Sequence, residues 1–385
     1  MKTTAKATVT WQSENKRIHR LHMHLTLLAT QGSKRVRLMQ AARAHLRLPP
    51  AQVLEWRDWL AQPALLEHAL RQPGLLKIEP PGDDPAAHRL LLQAGCRLRG
   101  RAPVRAPEHG ELLAMDAWFA GFASAMQDLA VQLAALPAIR VFNAPAEILR
   151  MTDKLACQRQ LAAHGAPIPA LLGPVHGYDH LQSLLHEHDL DRVYLKPRYG
   201  SSASGVVAYR RNKAGRQQAT TSATLQHGDG AARLFNVKRM ARYETTADIA
   251  ALVDALAAQE LYAEAWLNKP RCGDSHYDLR VVTLAGQPAH RVARIGQHMM
   301  TNLHLDNRRG DAAGLLNAAD LAALENTAAL AARAFPASHV TGYDLVARHG
   351  QAHVLEANAF GDLLPGLLWQ GADTYAAQLT QLTHA

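Results

Sequence analysis

The sequence predicts a mixed α/β and α+β protein, and a change of pattern along the chain supports this class. Up to about residue 143, short strand-like runs alternate with helical periodicity, which is typical of a small parallel sheet. Beyond it, strand pairs joined by glycine turns alternate with alanine-rich helices. The chain has 385 residues, of which 48% are hydrophobic, so two or three domains with buried cores are expected.

The N-terminal elements are predicted from apolar runs between turn residues. Strand-like runs begin at His24, Val53 and Leu75, and helical patterns cover residues 33–46 and 60–70. Paired prolines follow the first helix and the third strand and end them.

Three further segments complete this part of the chain. An amphipathic helix is predicted over residues 112–136, and residues 140–143 form a short strand. Residues 1–22 are polar and basic, so we expect a loose arm there.

The later elements are also predicted from apolar runs between turn residues. Helices are predicted over residues 248–259 and 318–333, and hairpin turns at 285–286 and 349–350. Strands are expected over residues 194–196, 261–264, 279–284, 287–295 and 353–356.

The composition narrows the class of protein. The formal charge is +9, yet no block of five or six consecutive basic residues occurs, so a small polyphosphate anion is a more economical partner than nucleic acid. No run of about 18 apolar residues predicts a membrane span. Cys96, Cys157 and Cys272 lie far apart, which argues against a disulfide framework or zinc finger and fits a cytoplasmic protein.

A loop rich in small residues follows Lys196, the last residue of a predicted strand. Residues 200–205 read Gly-Ser-Ser-Ala-Ser-Gly, and such a loop can surround phosphate oxygens with backbone N–H groups while the lysine adds a positive charge. The pattern is not a Walker A loop. The alternative is an ordinary flexible hairpin.

A second candidate site lies on the hairpin near the C-terminus. Glu356 and Asn358 are two residues apart on one strand and share a face, and the turn brings Asp344 alongside. Two carboxylates and an amide oxygen suit Mg²⁺. The alternative is a solvated polar face, although the segment around Glu356 is otherwise apolar.

Two shorter signals carry charge. Asp278 and Arg280 share a strand face, where the arginine can neutralise a transferring phosphoryl group; the alternative is a surface ion pair on an edge strand. Thr152 or Asp153 can cap a helix whose first turn holds Lys154, and a lysine there opposes the helix dipole and needs an anion.

Together these segments, over about residues 140–370, resemble the ATP-grasp superfamily. Asp153 and Lys154, followed by Gly-Ala-Pro-Ile-Pro at residues 165–169, are similar to its opening helix. Lys196 and the following loop are similar to its phosphate lid, and residues 261–267 to the hinge strand that reads the adenine edge. The Asp344, Glu356 and Asn358 trio matches the metal ligands in type and spacing.

Within the superfamily the sequence most resembles the ribosomal-protein glutamate ligases, and a separate bacterial branch is expected to be nearer still. The shared signals are the Asn-Ala-Pro entry at residues 143–145, Asp-Leu-Arg at 278–280 and Asn-Leu-His at 302–304. Ala203 and the residues after His304 and Asn358 depart from those ligases. Because such segments line the acceptor side, the resemblance does not identify the acceptor.

The resemblance implies an ATP-grasp fold with an N-terminal α/β domain over residues 23–143, a linker helix and central lid over 144–265, and a C-terminal domain over 266–385. It assigns catalysis to Arg280, Arg294 and Lys196, and the metal to Asp344, Glu356 and Asn358. The residues implied for ATP are Lys154, Lys196, Gly200, Ser201, Ser202, Ser204, Gly205, Glu264, Ala265, Trp266 and Leu267.

The implied activity is an ATP-dependent carboxylate–amine ligase that uses one or two Mg²⁺ ions, for which Mn²⁺ can substitute, and forms an acyl phosphate. Its partners would be ATP, a carboxylate and an amine from an amino acid, peptide or protein tail, and homo-oligomers are common among such enzymes. Three alternatives stay open: an ATP-grasp phosphotransferase, an inactive nucleotide- or peptide-binding protein, and a polyanion-binding protein.

Overall fold

The structure is a computed structural model that describes residues 24–82, 84–200, 204–226, 233–297, 308–361 and 364–382. The predicted arm at 1–22, Ser201, Ser202, Ala203 and the 302–304 motif lie outside these ranges. None of the described helices is long and apolar enough to cross a membrane.

A four-stranded parallel sheet forms the N-terminal part. Its strands run in the order β2-β1-β3-β4. They cover Leu25–Ala29 (β1), Gln52–Glu55 (β2), Gly74–Ile78 (β3) and Ile139–Val141 (β4). The helices in this part cover Lys34–His45 (α1), Trp56–Ala61 (α2), Leu65–Ala69 (α3), Pro85–Leu98 (α4) and Met115–Ala134 (α5).

Two helical predictions in this part were wrong in detail. The pattern over 60–70 is divided between α2 and α3, because Pro63 lies between them and cannot donate an intrahelical hydrogen bond. The long helix begins at Met115 rather than at residue 112. We did not predict α4, although the Asp84 side chain caps it and Pro85 occupies its first position.

A six-stranded antiparallel sheet forms the middle of the chain, in the order β5-β10-β6-β7-β8-β9. Its strands are Leu171–Val175 (β5), Arg192–Pro197 (β6), Val207–Arg211 (β7), Gln217–Gln226 (β8), Arg233–Tyr243 (β9) and Leu261–Ala265 (β10). Helices Pro145–Thr152 (α6) and Lys154–Ala163 (α7) precede it, and Tyr178–Glu187 (α8) and Thr246–Ala257 (α9) cover one of its faces.

The third sheet contains the order β14-β13-β12-β15-β16, and β11 pairs with β12. The strands are Arg271–Cys272 (β11), Ser275–Leu284 (β12), Gln287–Gly296 (β13), Arg308–Gly310 (β14), Val340–Arg348 (β15) and Gln351–Asn358 (β16). The helices are Ala312–Leu315 (α10), Ala318–Ala332 (α11) and Thr374–Gln381 (α12).

The first and third sheets share hydrophobic cores, whereas the middle sheet has a separate hydrophobic core. One buried cluster holds Leu28 and Leu76 of the first sheet together with Leu279 and Tyr343 of the third. The core of the middle sheet packs β6, β7 and β10 against α8 and α9. The middle sheet therefore presents its other face to the rest of the molecule.

Candidate functional site

The uncovered face of the middle sheet carries polar and aromatic side chains. Side chains alternate along a strand, so Val193 and Leu195 point into the sheet's own core while Tyr194 and Lys196 point the other way. Glu264 lies opposite Tyr194 in the register of β10 with β6. Just beyond β10, the Trp266 ring stacks on Tyr194 with 4.8 Å between ring centroids.

A cavity of about 760 Å³ opens beside this face, between the middle and third sheets. Trp266 and Ala208 form part of its wall, and residues of the third sheet such as His276 close the other side. Its basic lining residues are Arg192, Arg210, Lys269, Arg271 and Arg348, and no aspartate or glutamate of the described chain lines it. The cavity therefore favours an anionic ligand that includes a flat, stacking group.

Three buried polar atoms on this face have no hydrogen-bond partner within the described residues. They are the Tyr194 hydroxyl, Glu264 Oε2 and Trp266 Nε1. A buried polar atom without a partner costs about 1–3 kcal/mol, so such atoms mark a place where a ligand or water completes the bonding. A planar heterocycle with donors and acceptors, such as the adenine expected at residues 264–267, fits this set.

Lys196 and Lys154 each contact a carboxylate. Lys196 pairs with Glu264, whose side chain is almost fully buried, and Lys154 pairs with Glu356 of the C-terminal hairpin. Burial raises the pKa of Glu264, and the Lys196 charge opposes that rise. We expected an anion beside Lys154 because a lysine in the first turn opposes the helix dipole, and Glu356 supplies that negative charge.

The Asp153 side chain caps helix α7 and so fixes the position of Lys154, the first residue of that helix. Its Oδ1 accepts a hydrogen bond from the Ala156 backbone N–H at 3.0 Å. Arg198, which follows β6, donates to both carboxylate oxygens at 2.8 and 2.7 Å, a bidentate pair that the sequence did not reveal. Asp153 directly precedes Lys154, and Arg198 lies two residues after Lys196. This ion pair therefore holds the two lysine-bearing segments next to each other.

The glycine-rich loop is described only at its ends. Gly200 has φ 139° and Gly205 has φ 71°, conformations that favour glycine. A Cβ at Gly205 would also meet Pro197 at 2.8 Å. The phosphate-binding role of Ser201, Ser202 and Ser204 stays a prediction.

The hairpin of β15 and β16 brings the predicted metal ligands onto one face. Asp344 lies opposite Glu356, and Gly342 lies opposite Asn358. The Asn358 amide Nδ2 donates to the Gly342 carbonyl at 3.3 Å. Residues directly opposite each other in an antiparallel pair share a face, so the three side chains converge.

Buried ion pairs connect this hairpin with β12 and β13. Arg294 donates to Asp278 at 2.7 Å and lies 2.9 Å from Asp344. Asp344 also contacts Arg280, and Lys269 lies 2.7 Å from the other oxygen of Asp278. Because β12 lies between β13 and β15, the alternative of a surface ion pair on an edge strand was wrong.

The charges in this network shift the pKa values of its carboxylates. Burial alone would raise the pKa of Asp278, but Arg294 and Lys269 hold it well below its usual range. Burial opposes ionisation of Asp344 as well, and Arg280 and Arg294 lower its pKa. Both carboxylates are therefore ionised at neutral pH, and the two arginines are fixed in place.

The donor set of the hairpin fits a hard divalent cation. Asp344, Glu356 and Asn358 offer two carboxylates and one amide oxygen, which are ligands that Mg²⁺ prefers. Within the described ranges, no cluster of three or more His, Cys, Asp and Glu residues could hold a metal, and this set has two carboxylates beside its amide. A bound cation would compete with Lys154 for Glu356 and with Arg280 and Arg294 for Asp344.

A small cavity of about 10 Å³ lies between helix α7 and strand β16. Gln158 of α7 lines it beside Lys154, Lys196 and Glu356, and donates from Nε2 to the Leu355 carbonyl at 2.7 Å. The sequence analysis did not identify Gln158, because no motif distinguishes it from other helical glutamines. Cys157 lines the same cavity, and burial raises its pKa to about 12, which makes it an inert thiol.

No protein-family model matches the chain, and the comparison with curated proteins gave no match. Solved structures do match. The ATP-grasp ligase PsnB in complex with a minimal precursor aligns over 94% of this chain and 99% of its own at 12% identity, with a TM-score of 0.52. The macrocyclase MdnC from Microcystis aeruginosa, bound to the precursor peptide MdnA, gives the same coverage at 11% identity and 0.51.

Biotin carboxylase from Campylobacter jejuni in a nucleotide complex covers 94% of this chain and 71% of its own, at 12% identity and a TM-score of 0.54. At identities this low, the likeness is one of fold.

Proposed function

We propose that this chain, which has the ATP-grasp fold, is an ATP- and Mg²⁺-dependent carboxylate–amine ligase. The observation that carries the proposal is a row of groups between the middle sheet and the C-terminal hairpin, called the cleft below. Tyr194, Glu264 and Trp266 carry three buried polar atoms without a described partner, and the Trp266 ring stacks on Tyr194. Lys196 contacts both Glu264 and the Leu355 carbonyl, and so links this cluster to the hairpin, where Lys154, two arginines and the carboxylate–amide trio lie. A nucleotide with its base at the first cluster can direct its phosphates towards the hairpin.

On binding, the ATP phosphates would replace the carboxylates that now pair with the two lysines. The adenine would lie at residues 264–267 against Trp266, and its amino group can donate to Glu264 Oε2. The phosphates would take Lys154 from Glu356 and Lys196 from Glu264, together with the loop at 200–205. Glu356 then becomes available for a cation, so nucleotide and metal reinforce each other's binding.

Asp344, Glu356 and Asn358 would hold Mg²⁺, which supplies positive charge to the β- and γ-phosphates. The substrate carboxylate attacks the γ-phosphorus, a bond to the β-bridging oxygen breaks, and ADP leaves. An amine then attacks the acyl phosphate carbonyl and displaces phosphate, leaving an amide. Arg280 and Arg294, held by Asp344 and Asp278, can stabilise the negative charge in both steps because they need little reorganisation.

Peptides are the first substrates to test. Two of the proteins similar in structure to this chain, PsnB and MdnC, are in complexes with a precursor or a precursor peptide. We therefore expect a peptide or protein carboxylate among the best substrates, joined to an amino acid or to a second group on the same chain.

The test measures ADP and free phosphate released from MgATP across a panel of amino acids and acidic peptides, with mass spectrometry of the products. A ligase releases both in equal amounts and makes a product lighter than its reactants by one water. A phosphorylated product without free phosphate would instead show a phosphotransferase. A chain that does not bind MgATP would overturn the proposal.

Replacing Lys196 with methionine tests the phosphate end of the cleft. We expect the KM for ATP to rise about tenfold or more, because one charge-assisted contact with phosphate is lost. Glu264 would then be buried without its cation and would take up a proton, since its pKa is already raised. Steady-state kinetics with varied ATP provide the measurement, and Lys213→Met, outside the cleft, is the control. An unchanged KM would contradict the assignment.

A further inference from the structure

We propose that Gln158 is a positioning residue that sets the register of the metal-bearing hairpin, an inference that rests on the proposed function. Gln158 lies on α7 and is 2% exposed. It reaches the hairpin at the point where β16 carries one residue more than β15. Through that point it controls whether Glu356 shares a face with Asp344.

The register of the hairpin contains a β-bulge at Leu355. Leu345 lies opposite Val354, whereas its neighbour Asp344 lies opposite Glu356, so Leu355 is the extra residue. In a regular ladder continued from Leu345 and Val354, Asp344 would lie opposite Leu355. Glu356 would then point to the other face of the sheet. The bulge is therefore what brings the two carboxylates together, as bulges beside active sites re-aim side chains.

The carbonyl of the extra residue is held from outside the sheet. Gln158 Nε2 donates to the Leu355 oxygen at 2.7 Å, and Lys196 Nζ donates to it at 3.3 Å. When Lys196 turns to a phosphate, Gln158 remains as the fixed donor. Helix α7 also contacts the next residue, because Lys154, one turn before Gln158, pairs with Glu356.

The other end of the Gln158 amide bears on what its replacement costs in stability. Its Oε1 is buried, and no described residue gives it a hydrogen bond. A buried acceptor without a partner costs about 1–3 kcal/mol, which offsets the bond that the amide Nε2 makes. Methionine has similar length and no polar group, so Gln158→Met removes both the useful donor and the unpaired acceptor. We expect this variant to stay folded with little change in melting temperature.

The test is calorimetric binding of a non-hydrolysable ATP analogue to the full chain, with Mg²⁺ and in EDTA. In Gln158→Met we expect the enhancement of binding by Mg²⁺ to fall about tenfold or more, while binding in EDTA stays unchanged. The matched control is Gln160→Met, since Gln160 on the same helix donates to the Ala334 carbonyl instead, at 3.2 Å.

A Gln158→Met protein that keeps the wild-type Mg²⁺ enhancement would overturn this inference and leave the proposed function intact. An equal loss in Gln160→Met would overturn it too, because the effect would then belong to the whole helix. A wild-type chain whose nucleotide binding ignores Mg²⁺ would overturn the proposed function and this inference with it.

Discussion

Replacing Glu356 with alanine is expected to abolish ATP turnover, a loss of about 1,000-fold or more, while the chain stays folded. Glu356 is the carboxylate of the proposed metal site that lies opposite Asp344, and it also pairs with Lys154. Its side chain is 32% exposed, so its ion pair adds little to stability. The measurement combines phosphate release with a thermal melt, and the melting temperature should stay within about 4 °C of the wild type.

The matched control for this variant is Glu325→Ala. Glu325 pairs with Arg291 in the same part of the fold, with 43% of its side chain exposed, and lies on α11. We expect its removal to leave turnover unchanged. Full activity in Glu356→Ala would remove Glu356 from the metal site.

Replacing Asp278 with asparagine is expected to destabilise the fold by about 3–5 kcal/mol, because the change leaves two buried cations without their shared anion. Lys269 and Arg294 both contact Asp278, whose side chain is 3% exposed. Urea denaturation at pH 7 measures the loss in the free energy of unfolding. The control is Asp274→Asn on the same hairpin, since Asp274 is fully exposed and 3.8 Å from Arg271. Equal stabilities for the two variants would contradict the network.

The same network predicts a pH dependence of stability. The folded-state pKa values of Asp278 and Asp344 are lowered, so the unfolded chain binds protons at a higher pH than the folded one. Their contribution is therefore complete above the unfolded value of about 3.9 and is lost as the pH falls below it. The free energy of unfolding should decline less steeply with acidification in Asp278→Asn than in the wild type.

The fold class could be predicted because it depends on local patterns. The i, i+2 spacing places Glu356 and Asn358 on one face of their strand, but the turn alone would set Asp344 opposite Leu355, and only the bulge brings Asp344 opposite Glu356. The domain boundaries and the individual roles of the site residues stay predictions. The wrong helix over residues 60–70 was avoidable, because Pro63 is visible in the sequence.

The contacts that escaped prediction depend on segments far apart in the chain. Nothing near Leu355 announces a bulge, because its carbonyl is held by Gln158 and Lys196, nearly 200 and about 160 residues earlier. The pairing of Glu264 with Lys196 was missed for the same reason, since it depends on how β10 meets β6. Long-range packing determines these contacts, so they cannot be predicted from local sequence propensity.

The core shared by the first and third sheets determines the order in which the chain can fold as it is synthesised. The first sheet leaves the ribosome early, but residues 277–382 supply part of the cluster that buries its apolar faces. The middle sheet needs no such late partner, because residues 171–265 supply most of its core. The middle sheet can therefore fold first, whereas the first sheet, although it is synthesised earlier, completes its core only when the C-terminal residues have been synthesised.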